Sequence, residues 1–254
     1  MSKFPTTRRA VLGGALATTA AAVAMTPLGR AHAKGGAGSN HIVLLGDSVL
    51  DNGAYVGKGP DVVAQLRRRL PPGARATLGA VDGSITTGVT PQLQRVPPDA
   101  THLVVSSGGN DALQYSKVLE EKVRSVGEAL GTLASVRERF TADYGAMLDA
   151  VVARGLPAAC CTIYDARFPD MKKRRRAGAG LTLFNDCITR EASARGIALI
   201  DLRLICSDPE DLANPIEPSV IGGAKIARAI ADFAAEYDKS RGRSEVFTLA
   251  GAGI

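Results

Sequence analysis

The chain has 254 residues, of which 45% are hydrophobic and 22% charged, which suits one large α/β domain with a buried core. Its formal charge of +6 falls to 6 − 4 = +2 once residues 1–33, with four basic and no acidic residues, are set aside. A charge so near neutrality gives no case for nucleic acid as a partner.

The first 33 residues have the pattern of an export signal. Arg8 and Arg9 directly precede an apolar stretch, and Ala31-His32-Ala33 is an Ala-x-Ala processing site. Paired arginines in this position indicate the twin-arginine route. The alternative is a membrane anchor, but the segment is short and weakly apolar for a permanent span. We therefore expect an exported protein, periplasmic or secreted, with no stable membrane span after cleavage and a flexible leader over 34–40.

The rest of the chain alternates between strand and helix patterns. An apolar run from His41 to Gly46 predicts the first buried strand, with Ser48 in the turn that follows. Later strands are predicted at 74–81, 101–106, 156–164 and 197–202, and helices at 62–70, 91–95, 116–153, 183–195 and 220–237. We expect a loop over 165–180, which carries the basic run 172–176, and a loosely held tail over 239–254. The alternation predicts one domain over 41–238: a three-layer α/β/α fold with a five-stranded parallel sheet.

The four cysteines show no metal-binding spacing. Cys160 and Cys161 lie in an apolar run, which favours core packing, and as neighbours on a strand they would point to opposite faces. Cys187 and Cys206 are isolated in the sequence. Because an exported protein could oxidise a pair, the disulfide state stays open at this point, as does the oligomeric state.

Three turns at predicted strand ends carry groups suited to acyl transfer. Ser48 offers a hydroxyl nucleophile, Gly83 a backbone N–H that a ligand can approach closely, and Asn110 a side-chain amide donor. Together the Ser48 and Gly83 N–H groups and the Asn110 amide could form an oxyanion hole. Taken singly, each has a plainer explanation as a helix cap or a turn residue.

The combination resembles a known family. Gly46-Asp47-Ser48, then Gly83, then Gly108-Gly109-Asn110-Asp111 look like the first three sequence blocks of the SGNH (GDSL-type) hydrolases. The resemblance extends from about residue 41 to 234. It implies a flavodoxin-like domain, hydrolysis of acyl or acetyl esters by a serine nucleophile, a small-molecule or glycan ester as substrate, and no metal or organic cofactor.

The sequence departs from the family at its last block, Asp-x-x-His, in which His is the general base. Here Asn214 stands in place of Asp and Glu217 in place of His. His41 and His102 start predicted strands, so we expect both at the amino edge, away from the strand-end turns, with structural roles. Glu217 is then the candidate base, with its pKa raised by burial among apolar neighbours.

The leading hypothesis is a serine esterase or acetylhydrolase in which Ser48 attacks and Glu217 takes the proton. Asp47, Asp111 and Asn214 are expected close to the substrate, with Asn214 orienting Glu217. A competing hypothesis is a non-catalytic or weakly active protein of the same fold that binds an acetylated or anionic glycan. A third is a hydrolase that uses Asp47 or Asp111 as metal ligands, although the sequence contains no ligand cluster.

Overall fold

A computed structural model describes residues 40–249, which alternate between strand and helix. The predicted export signal and nearly all of the predicted leader fall outside the described residues. The strands are β1 (His41–Gly46), β2 (Arg75–Leu78), β3 (His102–Ser106), β4 (Ala158–Cys161), β5 (Ala198–Ile200) and β6 (Val246–Phe247). The helices are α1 (Val62–Arg69), α2 (Val89–Leu93), α3 (Gly109–Tyr115), α4 (Val126–Val152), α5 (Met171–Ala194), α6 (Leu202–Ile205) and α7 (Val220–Glu236).

All strand pairs of the sheet are parallel, in the order β2-β1-β3-β4-β5-β6. The first five strands have the order 2-1-3-4-5, which is the flavodoxin-like arrangement. The direction of chain progression reverses between β1 and β3, and open α/β folds bind ligands at such a point, beyond the carboxyl ends of the strands. Ser48 follows β1 and Asn110 follows β3, so the topology places both at this point.

Strand β1 is buried on both faces, and its side chains alternate between two hydrophobic cores. Ile42 and Leu44 pack in one core with side chains of α1, α6 and α7. Val43 and Leu45 pack in the other with side chains of α2, α4 and α5. Continuous burial of both faces is typical of a parallel sheet between two helix layers. The predicted three-layer α/β/α fold is therefore confirmed.

Two expectations from the sequence were wrong. The sheet has six strands rather than five, because Val246 and Phe247 of the expected tail pair with β5. A two-residue strand is too short to show a periodic pattern. The expected loop over 165–180 is helical from Met171 onward, so the basic run 172–176 lies on α5. The Asp170 carboxylate accepts hydrogen bonds from the Lys172 and Lys173 N–H groups, which caps that helix.

The four cysteines are buried and free. Cys160 and Cys161 pack in opposite cores, as expected of neighbours on a strand. Within residues 40–249, no cluster of three or more His, Cys, Asp or Glu side chains could hold a metal ion. Over the same residues, no helix has the length and apolar character needed to cross a membrane.

Candidate active site

The turn after β1 presents Ser48 at the carboxyl edge of the sheet. Gly46 has a φ of 117°, and a Cβ atom on it would lie 1.7 Å from the Ser106 carbonyl oxygen, so only glycine fits. The Asp47 N–H donates to that same carbonyl at 3.1 Å, which joins the turn to the end of β3. The close approach of the ends of β1 and β3 therefore fixes the position of the turn that carries Ser48.

Ser48 and Glu217 meet in the folded chain although 169 residues separate them. The Ser48 Oγ–H donates to Glu217 Oε1 at 3.1 Å, and both residues are buried. This distance lies within the range over which a general base acts on a nucleophile. The second carboxylate oxygen of Glu217, Oε2, is buried with no protein partner among the described residues. The carboxylate is therefore placed to take a proton from Ser48.

The backbone of the segment that carries Glu217 is held by hydrogen bonds to three side chains. Asn214 Oδ1 accepts from the Ile216 N–H at 2.9 Å and the Glu217 N–H at 3.0 Å. The Tyr164 hydroxyl donates to the Ile216 carbonyl at 2.7 Å, and Asn52 Nδ2 donates to the Pro218 carbonyl at 3.1 Å. Asn214 thus orients the backbone of Glu217 rather than its carboxylate. These contacts fix the backbone position of Glu217.

Burial raises the pKa of Glu217 above the ordinary value of a glutamate. The negative charge of Asp82 raises that pKa further, whereas the hydrogen bond from Ser48 lowers it. An unperturbed glutamate, with a pKa near 4.3, is a weak base toward a serine hydroxyl. The upward shift moves Glu217 in the direction that a general base at neutral pH requires.

Three hydrogen-bond donors follow β1, β2 and β3, and the third, Asn110, lies in the first turn of α3. The backbone N–H groups of Ser48 and Gly83 make no hydrogen bond within residues 40–249. Gly83 has a φ of 76°, and a Cβ built on it would meet no described atom within 4 Å, so its turn is open to a ligand. Asn110 Nδ2 donates one hydrogen to the Ser84 carbonyl at 2.9 Å, which leaves its second hydrogen for another acceptor.

The two aspartates expected near the substrate differ in their surroundings. Asp111 Oδ2 accepts from both the N–H and the hydroxyl of Thr86, each at 3.0 Å, so it holds the segment after Gly83 in place. Asp47 lines the cavity beside Ser48 and accepts the Val49 N–H. Burial raises the pKa of Asp47 to about 7, and the negative charges of Glu217 and Asp111 add to that rise.

Gln92 supports the nucleophile turn, and the sequence did not reveal it. Its Oε1 accepts from the Gly46 N–H at 2.7 Å, and its Nε2 donates to the Gly46 carbonyl at 2.8 Å. Nε2 also lies 3.3 Å from Ser84 Oγ, in the residue whose carbonyl holds Asn110. This buried side chain therefore connects the Ser48 turn to Ser84, whose carbonyl in turn accepts from Asn110. Its short helix has no motif that marks such a role.

The two histidines of the domain lie at the amino ends of strands, at the edge of the sheet opposite the Ser48 turn. His41 starts β1, where its Nε2 lies 2.8 Å from Thr77 Oγ1 and its Nδ1 lies 3.2 Å from Asp99. His102 starts β3 and packs edge-on against Phe233. Both strands run from these histidines toward the turns that carry Ser48 and Asn110. Burial lowers the pKa of both imidazoles, and the positive charge of Arg75 lowers that of His41 further.

A cavity of about 350 Å³ opens beside the Ser48–Glu217 pair. Asp47, Ser48, Asn110 and Glu217 all line it. Most of the other lining side chains are apolar and come from α3, α4, α5 and the segments next to them. Its volume lies in the ordinary range of small-molecule sites. Ser48, Glu217 and Asn110 therefore face one common space.

Solved structures with a similar fold include several ester hydrolases. An extracellular lipase from Streptomyces rimosus is 19% identical, with a TM-score of 0.55 over 73% of this chain and 95% of that one. A phospholipase A1 from Streptomyces albidoflavus is 15% identical, with a TM-score of 0.55 over 74% and 95%. An acetylxylan esterase from Geobacillus stearothermophilus is 16% identical, with a TM-score of 0.52 over 79% and 96%. At these identities the likeness concerns the fold.

No curated protein sequence matches the chain significantly. The model of the GDSL-like lipase/acylhydrolase family matches residues 44–220, a range that includes Ser48, Gly83, Asn110 and Glu217. By this match and by its flavodoxin-like sheet, the chain belongs to the GDSL-like lipase/acylhydrolase family within the SGNH hydrolases.

Proposed function

We propose that this protein is an exported serine hydrolase that cleaves acyl or acetyl esters, with Ser48 as nucleophile and Glu217 as general base. The family match supports ester hydrolysis in general. The observation that carries the specific proposal is the buried hydrogen bond of 3.1 Å from Ser48 Oγ to Glu217 Oε1. Export is proposed from the paired arginines Arg8-Arg9 and the Ala31-His32-Ala33 processing site.

In the first half of the reaction, Ser48 Oγ attacks the ester carbonyl carbon while its proton passes to the Glu217 carboxylate. The carbonyl oxygen becomes an oxyanion, which accepts hydrogen bonds from the Ser48 N–H, the Gly83 N–H and the Asn110 amide. When this intermediate collapses, the bond to the alcohol oxygen breaks. Protonated Glu217 returns its proton to that oxygen, so the alcohol leaves neutral and the acyl group stays on Ser48.

In the second half, water takes the place of the departed alcohol. Glu217, again ionised, removes a proton from this water as the oxygen attacks the acyl carbon. Collapse of the second intermediate breaks the bond to Ser48 Oγ, which regains its proton from Glu217 and releases the carboxylic acid. Because one carboxylate moves the proton in both halves, this mechanism needs no histidine.

The glycan-binding alternative uses the same donors without chemistry, and nothing in the site favours it over catalysis. A binding protein does not need a carboxylate hydrogen-bonded to the hydroxyl of Ser48. A buried carboxylate costs stability unless it is compensated, and Oε2 of Glu217 has no compensating protein partner among the described residues. Such a cost suits a proton-transferring group better than a passive one.

The direct test is labelling with a fluorophosphonate, which phosphonylates activated serines, together with hydrolysis of p-nitrophenyl esters. We expect one adduct on Ser48 by peptide mass spectrometry and loss of both adduct and hydrolysis in Ser48→Ala. Ser135→Ala is the matched control, because Ser135 is an exposed serine on α4 whose hydroxyl bonds only a helix carbonyl. Absence of any adduct on Ser48 together with absence of hydrolysis of every short ester would refute the proposal.

A further inference from the structure

The cavity beside Ser48 has a lining suited to a hydrocarbon chain. Three segments of the chain, namely α4, α5 and the connection between β4 and α5, contribute six large apolar side chains to it: Leu133, Val136, Ile163, Phe168, Leu181 and Phe184. The lining also includes three carboxylates. Two of them, Asp47 and Glu217, lie at the reacting centre, and the third, Glu120, pairs with Arg176 at 3.0 Å. The space away from Ser48 therefore offers apolar surface for burial.

Two of the three cationic side chains of the lining are already engaged by the protein, and the third, Lys117, is exposed. Lys173 places its ammonium group 4.1 Å from the centre of the Phe168 ring, and Arg176 is paired with Glu120. Their methylene stems can then border the cavity while their charged ends stay at the surface.

The cavity lies on the side of Ser48 that suits the acyl part of an ester. Gly83 is not part of this lining, and the turn that carries it is open to a ligand. The alcohol must leave before water can attack the acyl-enzyme, so the open side suits the alcohol. The acyl group stays bonded to Ser48 throughout that exchange and can occupy the more enclosed side.

We propose that this cavity is an acyl-chain site and that the preferred substrates are esters of medium-length, unbranched fatty acids rather than acetates. The inference rests on the proposed function and narrows its substrate class. Each buried methylene contributes about 0.8 kcal/mol, equivalent to about a fourfold gain in kcat/KM per methylene. Since part of the chain stays near the open mouth, we expect p-nitrophenyl octanoate to exceed p-nitrophenyl acetate by at least about 50-fold.

Two glycines of α5 provide a matched pair of variants. Gly180 lines the cavity, whereas Gly178 lines a separate polar groove, and a Cβ on either glycine would meet no described atom within 4 Å. Leucine at either position replaces a poor helix former with a good one in the same helix. We expect Gly180→Leu to lower the octanoate-to-acetate ratio of kcat/KM by at least about tenfold. Gly178→Leu should leave that ratio unchanged.

A binding measurement separates this inference from the catalytic proposal. Octanamide and acetamide present the same neutral carbonyl group, and titration calorimetry on Ser48→Ala requires no turnover. We expect octanamide to bind at least about 50-fold more tightly than acetamide, and Gly180→Leu in the same background to weaken octanamide selectively.

Equal binding of the two amides, or a ratio that Gly180→Leu and Gly178→Leu lower alike, would overturn the acyl-chain site. So would a chain-length preference that follows the alcohol instead of the acyl group, measured with alkyl acetates against p-nitrophenyl alkanoates. If the wild type hydrolysed no ester but octanamide still bound selectively, the catalytic proposal would be refuted and the acyl-chain site would stand.

Discussion

The role of Glu217 is best tested by Glu217→Gln, which keeps the size of the side chain and removes its basicity. A glutamine oxygen can still accept the Ser48 hydrogen bond that Glu217 Oε1 accepts at 3.1 Å, so the position of Ser48 should persist. Proton transfer by a positioned side chain is worth about 10²- to 10⁴-fold in rate. We therefore expect kcat to fall by about 10²- to 10⁴-fold with little change in KM.

The pH profile makes this prediction sharper. Only the ionised carboxylate can act as a base, so wild-type kcat/KM should rise with pH through the ionisation of Glu217. Burial raises the pKa of Glu217, so the rise should lie above the usual range of glutamate. The residual activity of Glu217→Gln should lack this limb. Rates are to be measured from about pH 4 to about pH 9 with a p-nitrophenyl ester.

Stability separates a catalytic defect from a folding defect. A group whose pKa is raised in the folded state loses its stabilising contribution as the pH rises through that pKa. Near pH 8, Glu217→Gln should therefore be at least as stable as wild type. Glu236→Gln, at the exposed carboxyl end of α7, is the control for loss of one negative charge. If Glu217→Gln retained kcat within about threefold and the same pH profile, Glu217 would not be the base. If neither the wild type nor Glu217→Gln hydrolysed any ester while both bound ligand equally, the binding-protein hypothesis would be favoured.

Two further variants test the residues around this pair. Asp47 has a folded pKa of about 7 against 3.8 in its ordinary state, so its folded form holds a proton that the unfolded chain releases, and stability falls as pH rises between these values. The difference between the two pKa values corresponds to about 4 kcal/mol. Asp47→Asn should therefore raise the free energy of unfolding by a few kcal/mol near pH 8 and by much less near pH 5. If urea unfolding gave the same difference at both pH values, the raised pKa of Asp47 would be contradicted. Gln92→Leu leaves the buried N–H of Gly46 without its acceptor, so it should cost about 1–3 kcal/mol of stability and lower kcat more than it raises KM, with an unchanged pH profile. An altered pH profile or a change confined to KM would show that Gln92 does not act by positioning the Ser48 turn.

The strand ends were predictable because their residue types carry local constraints. Gly46 must be glycine where β1 meets the Ser106 carbonyl, and that requirement places Ser48 directly after a buried strand. Polar or glycine-rich turns after successive parallel strands gather at one sheet edge, and for this reason the sequence pattern predicts Ser48, Gly83 and Asn110 as one group. The missed strand β6 and the missed start of α5 lie where the local pattern is short or interrupted by glycines.

The amino-acid sequence by itself determined the α/β/α fold class, the position of Ser48 after the first strand and the absence of histidine from the expected block. Hydrophobic periodicity and glycine positions act over a few residues, and these features depend on nothing longer. The tertiary structure alone decided that Glu217 reaches Ser48 across 169 residues, that Asn214 binds backbone and not the carboxylate, and that Gln92 joins two turns. These contacts arise from the packing of separate segments, and burial, which only packing can produce, is also what raises the pKa of Glu217.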